Sequence, residues 1–95
     1  MTMVVGTMRL ELHLPASDSL KAKRSVLNRV KERVRSGFNA SVAEVEHQDL
    51  WQRATLGIAV VGGAPGALDN VLRDILRAVE REDRLQVLDF QIQIT

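Results

Sequence analysis

NASVAEVEHQDLWQRA, residues 39–54, decides how the chain is folded. Its first part, Asn39 to about His47, reads as a strand with Ala43 and Val45 inward and Glu44 and Glu46 outward. The register that turns Val42 inward stays open, because a one-residue slip moves every side chain to the other face. From Ala54 to Val61 a second run alternates, with Leu56, Ile58 and Val60 on one side and the small Thr55, Gly57 and Ala59 on the other. The two strands are separated by only about six residues, which predicts an antiparallel hairpin with a longer loop. In that loop Asp49-Leu-Trp-Gln52 has the form of a capping box, which predicts one short helical turn. On this reading Trp51 folds over an end of the core. The competing reading has Leu50 and Trp51 protruding as an interface anchor, with Arg53 beside them.

Outward from the hairpin, Met3 to Leu14 alternates Met8, Leu10, Leu12 and Leu14 against Thr7, Arg9, Glu11 and His13, the pattern of a half-buried strand. Pro15 ends it. Ser17, Asp18 and Ser19 offer N-cap oxygens for a helix running to about Ser36. Leu20, Leu27, Val30 and Val34 form its apolar stripe, with Val26 at the edge, and Gly37 suits a helix end. After a Gly-Gly-Ala-Pro-Gly turn at 62–66, Ala67 to about Glu82 repeats Leu68, Val71, Leu72, Ile75, Leu76 and Val79, a second amphipathic helix. Arg84 to Ile94 closes as a strand with Leu88, Phe90, Ile92 and Ile94 inward.

The order is β-α-β-β-α-β. Right-handed crossovers then predict an α+β, ferredoxin-like sandwich, with a four-stranded antiparallel sheet in order 4-1-3-2 and both helices on one face. Residues 1–95 are read as a single domain of this type.

The sequence holds no Cys, which excludes disulfides and thiolate chemistry. Neither a signal-peptide pattern nor an apolar run long enough to span a bilayer is present, so the expected location is the cytoplasm, with no membrane contact. The net charge of +1 conceals a segregation. Residues 19–36 carry seven basic side chains (Lys21, Lys23, Arg24, Arg29, Lys31, Arg33 and Arg35) against Glu32 alone. Acids outnumber bases in the remainder, eleven to six.

Lys21, Arg24, Lys31 and Arg35 recur at three- and four-residue spacing beside the apolar stripe, and with Lys23 they are the candidate RNA-binding residues. A solvated face, or pairing with Glu80, Glu82 and Asp83 on the second helix, accounts for the same charges. Gly57, Ala59, Leu50, Trp51 and Arg53 are the candidate protein interface, since the small flat row Gly57-Ala59 lets another surface approach closely. A base-stacking platform on the central strands is not expected, because Arg9, Glu11, Thr55, Gly57 and Ala59 occupy those positions. Glu44, Glu46, His47 and Asp49, with His13, gather acid–base types, but no recognised catalytic or metal-ligand spacing occurs. Gly63 to Gly66 formally matches GxxG, yet it follows a strand and reads as a turn. No catalytic residue, metal ligand or cofactor is assigned.

The run VAEVEHQDLWQRATLGIAVV (42–61), with LHLPASDSLKAKRSVL (12–27), resembles the YlxP-like family, a bacterial domain of unknown function. The likeness covers essentially the whole chain. It implies a ferredoxin-like fold and a gene neighbourhood shared with ribosome maturation and translation initiation factors. It supplies no catalytic residue. The expected function is therefore a binding domain, either for RNA or the ribosome through the basic face of helix 19–36, or for a protein partner or second copy through the open sheet face and the Leu50-Trp51 loop.

Overall fold

The computed structural model describes residues 2–95; Met1 lies outside the described residues. Six elements follow in the expected order: β1 (Val4–His13), α1 (Leu20–Gly37), β2 (Ser41–Glu46), β3 (Arg53–Gly62), α2 (Pro65–Glu80) and β4 (Gln86–Ile94). The sheet order is β2-β3-β1-β4, and every neighbouring pair is antiparallel. This is the ferredoxin-like arrangement of an α+β sandwich.

The core lies between the helices and one face of the sheet. Met8, Leu10 and Leu12 of β1 and Leu56, Ile58 and Val60 of β3 meet Val26, Leu27, Val30 and Val34 of α1 and Leu68, Leu72, Ile75 and Val79 of α2. Each set is the apolar face of its element, so a single layer buries all of them. Gly6 has a packing role here: a Cβ at that position would lie 3.1 to 3.2 Å from Leu72, Ile94 and Val60.

Ser19 is the cap that α1 uses, its Oγ accepting from the Ala22 N–H at 3.0 Å. Gly37, expected to end the helix, is its last residue; Phe38 is the C-cap, and none of the glycines takes a positive φ. α2 starts earlier than expected, with Pro65 in its first turn, where the missing N–H costs nothing.

The register of β2 corrects the inward assignment of Ala43 and Val45. Val42 is buried on the helix side and opposes Ile58, whereas Ala43 and Val45 lie exposed on the open face. A bulge between Glu44 and Glu46 explains the difficulty. Glu44 opposes Leu56 and points toward the helices, Val45 is the extra residue, and Glu46 opposes Thr55 on the open face. A second bulge leaves Leu88 of β4 without a Cα partner, and that residue is exposed rather than inward.

Candidate functional site

Of the cations on α1, Lys21, Arg24 and Arg35 are exposed and Lys31 is half-buried. Among the described residues none of the four forms an ion pair; Arg35 donates to the Val42 carbonyl at 3.3 Å. The other flank of the helix is committed. Arg33 donates to the Ala78 carbonyl of α2 at 3.2 Å. Glu82, buried beyond the end of α2, is held by Arg84 at 3.0 and 3.2 Å. That hydrogen bond keeps the Glu82 carboxyl below its usual range against the opposing effect of burial, with a smaller contribution from Arg29. The acidic end of α2 therefore does not neutralise the stripe.

Lys23 must be removed from the RNA-binding set. It is 0% exposed. Its ammonium group donates to the carbonyls of His47 (2.8 Å), Gln48 (3.3 Å) and Arg53 (3.2 Å). Glu44 Oε2 lies 2.8 Å away. An ammonium has three N–H groups and the carbonyls take them, so Glu44 contributes charge without a directed hydrogen bond. A sequence signal existed: position 23 falls within the same helical arc as Val26, Leu27 and Val30.

The 47–52 connection is clamped at both ends. Lys23 holds its carbonyls, His47 adopts a left-handed φ of 63°, and the Leu50 N–H bonds the His47 carbonyl at 3.0 Å. Gln52 donates from Nε2 to Pro15 (3.2 Å) and Ser17 (3.4 Å), while its carbonyl accepts from Leu14 at 2.9 Å. The segment is a turn rather than the expected helical one, and Trp51 does not close the core. It is 54% exposed, and Leu50 is 44% exposed.

On the open face of the sheet, Glu11 is the hub of a polar network. It accepts from Thr55 at 2.8 Å and pairs with Arg9 at 3.1 Å; Arg53 lies at 3.7 Å and His47 at 4.0 Å. Arg9 also binds Glu46, the main cause of a raised guanidinium pKa. Thr55 is wholly buried beneath these side chains. A shallow groove of about 490 Å³ runs beside the network, lined by Thr7, Ala43, Val45, Ala59, Gln91 and Gln93 among others. Gly57 is less open than expected, because Val45 lies over it: a Cβ on Gly57 would meet Val45 Cγ1 at 3.0 Å. Ala59 is exposed.

The acid–base residues of 39–54 are dispersed by the fold. Glu44 turns to Lys23, Glu46 to Arg9 and His47 toward Glu11, while His13 lies 3.4 Å from Gln86. Among the described residues no three His, Asp or Glu side chains gather so as to hold a metal ion. No described helix is long and apolar enough to cross a membrane.

A family model described as "Protein of unknown function (DUF503)" matches residues 5–92. The chain belongs to the DUF503 family. A relative in it is the "Uncharacterized protein YlxP" of Bacillus subtilis (strain 168), 35% identical over 77 residues, covering 81% of this chain and 84% of the relative. The YlxP-like assignment thus stands. Among solved structures, the de novo designed protein Foldit4 superposes with a TM-score of 0.58 at 15% identity, covering 99% of this chain and 97% of the other. A designed protein with ferredoxin fold, LFR1 1, gives 0.56 at 14% identity, covering 96% and 82%. At these identities the likeness shows the fold alone.

Proposed function

We propose that this DUF503 member is a binding domain that engages RNA, free or within the ribosome, through the exposed cationic face of α1. One contrast carries the reading. Of the six basic side chains outside α1, five (Arg9, Arg53, Arg73, Arg77 and Arg84) sit in ion pairs and Arg81 does not, whereas Lys21, Arg24, Lys31 and Arg35, grouped on one face of α1, all have no carboxylate partner among the described residues. These four span about 21 Å of helix at 1.5 Å per residue, enough to meet several successive phosphates. The sheet face offers no ring for base stacking at Arg9, Glu11, Thr55, Gly57 or Ala59, so recognition is of the backbone rather than of sequence. On this reading the protein acts in the cytoplasm, where ribosomes are.

The test is binding to total RNA and to ribosomal subunits at two salt concentrations. Lys21→Glu with Arg24→Glu should weaken binding strongly and flatten its salt dependence by about 0.7 in log–log slope per lost single-strand contact. RNA binding indifferent to both changes sinks the proposal.

A protein contact is the second reading, favoured by the exposure of Leu50 and Trp51 on a clamped loop at one end of the open sheet face. The same assay separates the two. Subunit binding that survives Lys21→Glu with Arg24→Glu but is lost in Trp51→Ala belongs to the loop.

A further inference from the structure

The two edges of the sheet are protected to different degrees. β2 is short, interrupted at Val45, and its Val42 carbonyl is already taken by Arg35. β4 has nine residues and contains no Pro, Lys or Arg. Its bulge at Leu88 and the charge of Asp89 fall in its first half, and the stretch from Phe90 to Ile94 carries none of the usual devices that prevent pairing with another chain.

The direction of its main-chain groups follows from one pair. Val5 and Thr95 exchange both N–H···O bonds, at 3.0 and 2.9 Å. In an antiparallel ladder the residues that face the neighbour alternate, so Gln93 and Gln91 face β1 while Ile94, Ile92 and Phe90 present their N–H and C=O groups off the edge. Asp89 Oδ1 accepts the Phe90 N–H at 2.9 Å. Among the described residues, Ile92 and Ile94 keep both groups without a partner, and Phe90 keeps its carbonyl.

We infer that the outer edge of β4, from Phe90 to Ile94, pairs antiparallel with the same segment of a second copy of this chain. The segment is complementary to itself. With the two-fold axis at Ile92, Phe90 stands opposite Ile94 of the second copy, and Gln91 opposite its Gln93. Apolar meets apolar on the helix side, and amide meets amide on the open side. Asp89 falls opposite Thr95 rather than its own copy. On α2, Arg73 lies 5.9 Å over the Phe90 ring and is paired with Asp69, so this flank brings no uncompensated charge to the seam. The seam covers part of Phe90, now 38% exposed. Because the β2 edge is guarded, association stops at two chains.

The experiment is sedimentation equilibrium of the full chain over a concentration series, with amide hydrogen exchange alongside. The expected mass rises from one chain to two and no further, and the Ile92 and Ile94 amides exchange more slowly as concentration rises. Asp89→Ala frees the Phe90 N–H and should tighten the dimer about fivefold, while Ile92→Lys should leave monomer. Ala59→Arg, on the open sheet face, should leave the dimer intact. A mass of one chain at every concentration, growth beyond two, concentration-independent exchange at Ile92 and Ile94, or a dimer lost in Ala59→Arg each overturns the inference. The exchange measurement on the unaltered chain and the Asp89→Ala arm do not depend on whether Ile92→Lys folds.

Discussion

Lys23 Nζ lies 2.8 Å from Glu44 Oε2, and the lysine is sealed from solvent. The pair joins α1 to β2, while the carbonyls of His47 and Gln48 join α1 to the turn that follows and that of Arg53 joins it to the start of β3. Lys23→Ala would leave Glu44 and three carbonyls without their cation. The expected loss is about 3–5 kcal/mol, the range for breaking a buried pair from one side. Urea unfolding measures it, and a loss below about 1 kcal/mol, the level of an exposed pair, would show that the site is wetter than described. Trp51 fluorescence should change in the folded variant, because the connection carrying it has lost its clamp.

Trp51 itself should be dispensable for folding. With half of its surface exposed and the neighbouring Gln52 and Leu50 main chain bonded independently of the ring, Trp51→Ala is expected to shift stability by less than about 1 kcal/mol, whereas a core Trp costs about 3–5. A large destabilisation would return the residue to the core.

Gly57 and Val45 should be coupled. A methyl group on Gly57 would press on Val45 Cγ1, so Gly57→Ala is expected to destabilise by about 1 kcal/mol through overpacking. Val45→Ala should remove most of that cost. A double-mutant cycle reads the coupling directly, and additive effects would contradict the packing of Val45 over the glycine.

Glu82 predicts an acid limb. Arg84 lowers its folded pKa below the value in the unfolded chain, so its contribution is complete above the ordinary carboxylate range and is lost as pH falls through the depressed folded value. The stability gap between the natural chain and Glu82→Gln should therefore narrow on acidification. Urea midpoints at a series of pH values test this; a gap that stays constant into strong acid would remove Glu82 from the linkage.

Much of the fold was legible because alternation in Met8–Leu14 and Leu56–Val60 and helical spacing in Leu68–Val79 each mark one buried face, and a single topology brings those faces together. The register of residues 41–46 was not legible in the same way. Val42 and Val45 are both apolar, and the intervening bulge breaks the period of two on which any choice between them depends. Lys23 sits on the apolar arc, yet its residue type points to solvent: its partners are mostly carbonyls far along the chain, and main-chain groups leave no mark in a sequence. The Asp49–Gln52 pattern favours a helical turn with Trp51 over the core, whereas the turn closes on the His47 carbonyl, one of the groups bonded by Lys23.

The extra residue in β2 has a consequence for how this segment tolerates change. With Val45 present, Glu44 reaches the buried lysine and Glu46 reaches Arg9 on the opposite side. Regular two-residue alternation would turn Glu44 and Glu46 to the same face; the extra residue between them is what sends the two carboxylates to opposite sides of the sheet. Straightening the strand while keeping all six residues would part either Lys23 from Glu44 or Arg9 from Glu46.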